Sequence, residues 1–138
     1  MMKIKLDEGA KMPTRAHNSD AGLDLYARET KLVPARGSTI FDTGVHVEIT
    51  RGAMGLVLPK SGLNVKNGVV ASVGVIDAGY TGSVVSKLYN NSKVDYTVNE
   101  GDKISQLVIV PIFTPALEIV DELEETERGN CGFGSSGR

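Results

Sequence analysis

The chain has 138 residues, with 15 basic and 17 acidic side chains, a formal net charge of −2 and 41% hydrophobic residues. This is the length of one domain that can bury a core. The charge balance argues against a nucleic-acid-binding protein, which needs a surplus of Lys and Arg to displace counterions. Cys131 is the only cysteine of the sequence, which excludes an internal disulfide and a multi-cysteine zinc site.

The sequence gives no indication of membrane insertion or secretion. No segment approaches the roughly 18 consecutive apolar residues that a membrane span requires. Residues 1–8 (MMKIKLDE) lack the apolar core of a signal peptide. We therefore expect a cytoplasmic protein that does not bind membranes.

Short strands are predicted along most of the chain. Turn residues recur about every 8 to 12 positions, a spacing typical of a β-sandwich or barrel. The segments between the turns alternate or run apolar and are rich in β-branched residues. They are 45–49, 55–58, 69–73, 84–88 and 104–110. None has a helical period over three turns, so an all-β fold with at most a short helix is predicted.

Asp24 lies between Leu23 and Leu25 in the first segment that could carry chemistry. A carboxylate flanked by strand-forming apolar residues needs a charged partner or a metal if it is buried. If the strand simply alternates, the side chain faces solvent instead. The two histidines, His17 and His46, lie in contexts too different to predict a catalytic or metal-binding pair, and His46 is expected to face outward from its strand.

The segment 59–68 (PKSGLNVKNG) is the one stretch with helical character, and the predicted helix covers residues 61–66. Lys60, Ser61 and Gly62 bring a cation, a hydroxyl and free amides to its start, which are the groups that bind an anion. The alternative is a surface turn with an exposed lysine.

The segment 74–80 (GVIDAGY) places Asp77 directly after an apolar strand, at the mouth of a predicted hairpin. Tyr80 follows three residues later. A carboxylate at such a strand end suits acid–base chemistry. The alternative is an Asp that forms the turn and a Tyr that belongs to the core.

The C-terminal residues change composition twice. The chain is acidic over residues 121–127 and then rich in Gly and Ser, which predicts a mobile arm. The sequence GFGSSG at 132–137 matches G-x-G-x-x-G, but no helix can follow it, so a Rossmann site is excluded. Arg128 and Phe133 nevertheless suit a nucleotide clamp, with a loose terminus as the alternative.

Together, these segments resemble the five motifs of the homotrimeric dUTP pyrophosphatase family. In chain order they are AGLDLYA (21–27), PKSGL (59–63), GVID with Tyr80 and Gly82 (74–82), GDKISQL (101–107) and RGNCGFGSSG (128–137). They occur in the family's order and at its spacing over nearly the whole chain.

The resemblance implies a distorted jelly-roll, a β-clip-like barrel, that assembles into a homotrimer with shared active sites. Residues 1–120 would form the β-domain and residues 121–138 the arm that carries the fifth motif. The enzyme would hydrolyse dUTP to dUMP and pyrophosphate with Mg²⁺ as cofactor, which keeps uracil out of DNA and supplies dUMP for dTMP synthesis. Motifs one, two and four would come from one chain, the hairpin from a second and the arm from a third.

The resemblance also assigns roles to the residues that handle the phosphates. Asp77 would deprotonate the water that attacks the α-phosphorus. Asp24 would hold Mg²⁺ through its water shell. The residues that would contact the phosphates are Lys60, Ser61, Gly62 and Gln106.

For the nucleoside, the hairpin and the arm are implied. The hairpin residues that would bind uracil are Gly74, Val75, Ile76 and Val85, and Tyr80 would lie under the deoxyribose and exclude a ribose. The arm residues that would bind substrate are Arg128, Phe133, Gly134, Ser135 and Ser136. Arg128 and the two serines would close on the γ-phosphate, and Phe133 would stack over the base.

This chain departs from the family's pattern at several positions. Lys60 stands where arginine is usual, which replaces a bidentate fork with a point charge. Ala71 stands where some members have a uracil-binding asparagine, so main-chain pairing must carry more of the base recognition. Ser136 replaces a frequent threonine and keeps the hydroxyl.

Two alternatives stay open at this point. A dCTP deaminase shares the fold and several motifs, but those enzymes are longer and carry a hairpin glutamate where this chain has Ser83. A regulatory protein on the same scaffold, as in some phages, would bind a protein partner in addition to dUTP. Release of ammonia from dCTP would reveal the first, and capture of a protein partner the second.

Overall fold

The computed structural model describes residues 1–131, and this part of the chain is almost entirely β. The elements, in chain order, are β1 (Lys3–Leu6), β2 (Leu23–Tyr26), β3 (Lys31–Val33), β4 (Ser38–Glu48), β5 (Ala53–Pro59), α1 (Ser61–Asn67), β6 (Val69–Ala71), β7 (Gly74–Ile76), β8 (Ser83–Asn90), β9 (Tyr96–Val98) and β10 (Lys103–Pro111). The prediction of an all-β fold with a short helix is confirmed.

The strands form two four-stranded antiparallel sheets and a small ribbon. One sheet has the order β1-β4-β8-β6, the other has the order β2-β10-β5-β7, and β3 pairs with β9. The helix α1 begins at Ser61, as predicted, and ends before Gly68, whose φ of 66° is left-handed and therefore suits glycine. None of the helices in the described residues is long and apolar enough to cross a membrane.

Apolar side chains from both sheets fill the core in two clusters. Leu25, Val57 and Leu107 belong to one, and Phe41 and Leu88 belong to the other. Each is at most 2% exposed, and a fully buried side chain of this kind contributes about 1.5–3 kcal/mol. This core fixes the strand positions from which the site side chains project.

A β-bulge interrupts the pairing of β4 with β8. Asp42 pairs with Val85 and His46 with Ser83, so β4 holds more residues than β8 across this interval. Gly44, at the bulge, has a φ of 66°. Beyond it, His46 lies on the face opposite the buried Val45 and Val47.

His46 lies on the outer face of its strand, as expected, but the expectation that its side chain is open to solvent is wrong. Its side chain is only 18% exposed, and its Nε2 atom is buried. Loops on either side of β4 cover the imidazole, because Asp7 and Thr81 both approach it. Alternation along one strand reports only the face, whereas chain segments distant in sequence decide the exposure.

The chain leaves the β-domain at the end of β10. The amide of Ile112 donates to the Gly52 carbonyl at 2.9 Å, and every residue from 112 to 131 is exposed. The exposed apolar side chains of this stretch include Phe113, Leu117, Ile119 and Leu123. The predicted boundary between residues 1–120 and 121–138 stays a prediction.

Candidate active site

Three strands of one sheet bring the first, second and fourth motifs together. Asp24 on β2 pairs in register with Gln106 on β10, and Gln106 pairs with Leu58 on β5. Lys60 follows immediately after the end of β5. Residues that lie far apart in sequence therefore meet at one place because β10 is the shared neighbour of β2 and β5.

Asp24 is a buried carboxylate, only 6% exposed. The alternative of an outward-facing side chain is wrong, and the requirement for a charged partner is met twice. Lys60 Nζ pairs with one oxygen, and Lys103 Nζ lies 2.7 Å from the other. Burial by itself raises the pKa of Asp24, but the hydrogen bonds from Lys103 and Lys60 outweigh it and hold this pKa below its ordinary 3.8.

Lys103 is a residue that sequence reasoning missed. It lies in the GDKISQL motif, and the attraction to Asp24 raises its own pKa above 10.5. Its role depends on the register between β10 and β2, because Lys103 pairs with Tyr26 just beyond the Asp24–Gln106 pair. A single sequence does not show which two strands are neighbours.

Gln106 is held against the end of β5. Its Nε2 donates to the Pro59 carbonyl at 3.1 Å. Glycine at position 22 leaves room for the Gln106 side chain, because a Cβ there would lie 3.0 Å from Gln106 Cδ and closer still to Oε1, and the amide group would have to move. The AGLDLYA motif therefore supplies both the buried carboxylate and the space for the amide side chain.

The start of α1 lies beside this cluster. Lys60 has an extended conformation at the N-cap, and its carbonyl accepts from the Asn64 amide at 3.1 Å. Nothing lies within 4 Å of a Cβ built on Gly62, so a ligand can approach the backbone there. Lys60, Lys66 and Lys103 line an adjoining pocket of about 290 Å³, which makes this surface attractive to anions.

The hairpin after β7 forms a second group of candidate residues. Its two strands belong to different sheets, because β7 pairs with β5 and β8 pairs with β4 and β6. Val75, Val85 and Tyr80 are 56%, 47% and 44% exposed. The alternative that Tyr80 belongs to the core is therefore wrong.

Asp77 lies at the exposed start of the loop between β7 and β8. Its carbonyl accepts from the Tyr80 amide at 3.0 Å, and the Tyr80 hydroxyl donates to the Ser83 carbonyl at 3.0 Å. The turn is therefore closed by two hydrogen bonds, and the carboxylate of Asp77 lies at the surface.

Within residues 1–131, the loop between β7 and β8 makes no polar contact with the Asp24 group, although β7 belongs to the same sheet as β2, β5 and β10. Among the described residues, no hydrogen bond or ion pair joins the hairpin loop to Asp24, Lys60 or Gln106. Arg128 lies on the exposed arm, where its Nε donates to the Cys131 carbonyl at 3.1 Å. The predicted arm residues Phe133, Gly134, Ser135 and Ser136 lie outside the described residues.

The donor set fits the mode of binding that Mg²⁺ prefers. Among the described residues, no group of three or more His, Cys, Asp or Glu side chains could hold a metal by itself. Mg²⁺ usually keeps several waters and binds through one or two carboxylates together with substrate phosphates. One buried carboxylate beside an anion-attracting surface fits that arrangement, whereas it would not fit a metal held only by protein side chains.

Comparisons with known proteins identify relatives along nearly the whole chain. The family model described as dUTPase matches residues 8–137. The deoxyuridine 5'-triphosphate nucleotidohydrolase of Yarrowia lipolytica is 44% identical over 96% of this chain and 85% of its own length. That of Paramecium bursaria Chlorella virus 1 is 41% identical over 96% of this chain and 94% of its own.

Solved structures share the fold as well. The dUTPase of Staphylococcus bacteriophage 80alpha with dUpNHpp has a TM-score of 0.95 and 34% identity, and the match covers 100% of this chain and 99% of that chain. A variant dUTPase from phage phi11 of S. aureus, described with a structural Mg(II) ion, has a TM-score of 0.85 and 34% identity. That match covers 91% of this chain and 99% of that chain. These similarities confirm the predicted jelly-roll fold class.

Proposed function

The chain belongs to the dUTPase family, and from this membership we propose how its residues divide the work of the reaction. The enzyme hydrolyses dUTP to dUMP and pyrophosphate. The observation that carries the assignment of roles is the convergence of Asp24, Lys60 and Gln106 beside the open start of α1.

The triphosphate binds on the surface formed by the start of α1 and the neighbouring lysines. Lys60 supplies a positive charge, and Ser61 supplies a hydroxyl and an amide. Gly62 supplies an amide that a ligand can approach without meeting a side chain. Gln106 Nε2 donates to the Pro59 carbonyl in the free protein, and on binding it exchanges that contact for a phosphate oxygen.

Asp77 acts as the general base. Its carboxylate accepts a proton from water as the water oxygen forms a bond to the α-phosphorus. The bond between that phosphorus and the bridging oxygen breaks, and the electron pair leaves with pyrophosphate. A carboxylate in an exposed turn meets the geometric need of this step, because it can approach a ligand carried by another chain.

The hairpin binds the nucleoside. The backbone of Gly74, Val75 and Ile76 pairs with uracil, and Val85 lies on the floor of the hairpin. Tyr80 lies under the deoxyribose and excludes the 2′-hydroxyl of a ribose. The half-exposed state of Val75, Tyr80 and Val85 supports this role, since an apolar surface of this kind gains from covering by a base and a sugar.

Asp24 would hold Mg²⁺ through the water shell that this ion usually keeps, and a bound Mg²⁺ would neutralise charge on the triphosphate. The contact between Lys60 and Asp24 ties up both groups in the free protein. We propose that Lys60 moves to a phosphate when the substrate arrives, which frees one carboxylate oxygen, while Lys103 stays on the other.

The arm completes the site in a homotrimer. Arg128 binds the γ-phosphate together with Ser135 and Ser136, Gly134 contributes its backbone, and Phe133 stacks over the base. The lack of a polar contact between the hairpin loop and the Asp24 group within the described part of one chain supports sharing of the site between chains. The cytoplasmic location stays a prediction.

A regulatory role is a second candidate. The bacteriophage 80alpha dUTPase, which has a TM-score of 0.95 to this chain, is described as controlling the transfer of virulence genes. A protein partner of that kind would bind in addition to dUTP and would not replace catalysis. A deaminase is disfavoured, because hairpin residue 83 is a serine that cannot carry a proton in the way a glutamate does.

Pyrophosphate release from dUTP, dTTP, dCTP and UTP, measured in parallel, tests the function. We expect hydrolysis of dUTP alone at a useful rate, and no ammonia from dCTP. In the Asp77→Asn variant the amide cannot accept the proton of water, so kcat should fall by about 10²- to 10⁴-fold while the fold stays intact.

The matched control is Asp95→Asn, a change at an exposed carboxylate outside the hairpin loop, which accepts from the Ala35 amide. Its kcat should stay within a factor of about two. Full activity of Asp77→Asn would contradict the assignment of the base.

A further inference from the structure

His46 lies between two acceptors. Its Nδ1 is 2.7 Å from the Thr81 carbonyl oxygen, and its Nε2 is 3.1 Å from Asp7 Oδ1. The second contact is a charge contact and not an aligned hydrogen bond, which leaves Nε2 buried without another partner. The ring thus joins the segment after β1 to the loop between β7 and β8.

Further polar contacts link the same two segments by a second route. Asp7 Oδ2 lies 3.7 Å from Arg28 Nη1, and Arg28 Nη2 lies 3.5 Å from Asp42 Oδ2. Asp42 Oδ1 accepts from the hydroxyl of Ser83, which is the first residue of β8 and lies two residues after Thr81. The C-terminal end of the hairpin loop is therefore held twice, at Thr81 by His46 and at Ser83 by Asp42.

The protonation state of His46 decides whether both of its contacts can exist. A neutral imidazole carries one N–H, so one ring nitrogen would direct a lone pair at an acceptor, either the Thr81 carbonyl or the Asp7 carboxylate. Only the imidazolium, with two N–H groups, presents a proton to both neighbours. If the neutral ring keeps its proton on Nδ1 for the Thr81 carbonyl, the Nε2 lone pair faces the Asp7 carboxylate, and the attraction on that side becomes repulsion.

We propose that His46 is a positioning residue for substrate binding: as an imidazolium it ties Thr81 of the hairpin loop to Asp7, and loss of its proton weakens this tie at Asp7, loosens the loop and weakens binding of dUTP. The proposal rests on the proposed function, in which Tyr80, the neighbour of Thr81, lies under the deoxyribose.

The contacts around the ring favour the imidazolium over the neutral imidazole. The hydrogen bond to Thr81 and the contact with Asp7 raise the pKa of His46 above 6.5, although burial and Lys5, its register partner on β1, act in the opposite direction. Asp42 faces the same region from β4. His46 therefore loses its proton at a pH above 6.5, the ordinary pKa of histidine.

An NMR titration of the imidazole groups tests the proposal directly. The chain has only two histidines, and the side chain of His17 is 81% exposed, so it serves as an internal control. By linkage, a ligand that prefers the imidazolium must raise the pKa of His46. With a non-hydrolysable imido analogue of dUTP, we expect a rise of about 0.7 pH unit or more, which is the logarithm of a coupling of about 5-fold.

The charge of the ligand needs its own control. Inorganic triphosphate carries the negative charge without the sugar and base, so it should leave the pKa of His46 within about 0.2 pH unit of the free value. An equal rise with triphosphate, or no rise with the analogue, would overturn the proposal. This measurement uses the unmodified protein and does not depend on whether a variant folds.

Steady-state kinetics provide the second readout. In the wild type, loss of the His46 proton should lower kcat/KM for dUTP by an additional factor of about 5 between pH 6 and 8.5. In His46→Asn the amide can still donate to Thr81 but does not titrate, so this additional decrease should be absent. His17→Asn should keep the wild-type profile. Ionisation of the substrate affects all three proteins equally and cancels in their ratios.

The outcomes separate this inference from the proposed function. If dUTP is hydrolysed and Asp77→Asn is inactive, yet His46 shows neither effect, the function stands and the role of His46 is wrong. If dUTP is not hydrolysed, the proposed function fails, whatever the histidine does.

Discussion

Asp24 is a buried carboxylate whose negative charge is paired with two lysines, Lys60 and Lys103. Burial of Asp24 alone would favour its neutral acid, and the two cations reverse that preference. Because each lysine occupies one oxygen, Lys60 can leave for a phosphate without stripping Asp24 of its charge partner. We therefore propose that Lys103 is a positioning residue that keeps Asp24 ionised when Lys60 turns to a ligand.

Replacing Lys103 tests this role through stability. The lowered pKa of Asp24 stabilises the fold at pH values above about 3.8, and this contribution is lost as pH falls through the folded-state value. In Lys103→Gln one of the two cations is gone, so the pKa of Asp24 rises and the contribution shrinks. We expect the variant to have a lower Tm than the wild type at neutral pH, and we expect this gap in Tm between the two proteins to close toward pH 2.

Thermal unfolding of both proteins from pH 7 to pH 2 measures the gap. Lys66→Gln is the matched control, since Lys66 lines the same pocket from the last turn of α1 but forms no ion pair with Asp24. It should show no gap that closes in acid. A gap of constant size for Lys103→Gln would mean that Lys103 acts by packing and not through the charge of Asp24.

The sequence predicted the chemistry of single residues better than their pairings. Asp24 stood out because a carboxylate between leucines conflicts with burial unless it is partnered. Lys103 did not, because its partner is set by the register of β10 against β2. His46 was expected to face outward because its strand alternates, and only the fold brings Asp7 and Thr81 over it.

At the scale of elements, the hairpin between β7 and β8 depends on a close approach at Gly82. A Cβ at this position would lie 2.5 Å from Tyr80 Cζ and closer still to the hydroxyl. Tyr80 is 44% exposed, so its ring can turn outward without disturbing the core. The absence of a side chain at Gly82 therefore leaves the space in which the Tyr80 ring lies across the loop.

Gly82→Ala should displace the Tyr80 ring and leave the fold intact. If the ring excludes the 2′-hydroxyl, the ratio of kcat/KM for dUTP to that for UTP should narrow by about 10-fold or more. Gly79→Ala is the control in the same loop, because nothing lies within 4 Å of its added methyl group. An unchanged ratio in Gly82→Ala would locate the ribose filter elsewhere.

The positions of the elements followed from local patterns in the sequence. The helix was predicted over 61–66 and lies at Ser61–Asn67, because Asn67-Gly68 ends it with a left-handed residue. The segments that run apolar became β5, β8 and β10, although each strand extends beyond its predicted core. The order of strands in the two sheets was not predictable in this way, because it depends on contacts between distant segments.

At the scale of the whole molecule, the proposed site has two groups of residues that no polar contact joins within the described part of one chain. The chain after β10 also carries exposed side chains of Leu117, Ile119 and Leu123. Apolar side chains in such numbers are usually covered in an assembly. A trimer with shared sites accounts for both features.

Complementation between two inactive chains tests this arrangement. One chain carries Asp77→Asn with an intact arm, and the other ends after Glu127 with Asp77 intact. If the hairpin and the arm of each site come from different chains, mixed trimers formed by dissociation and random reassembly should regain activity at about one quarter of their sites. If one chain supplies both, the mixture stays inactive. Light scattering should give about three times the 14.7 kDa chain mass for each protein, so that a failure to assemble is distinguished from a failure to complement.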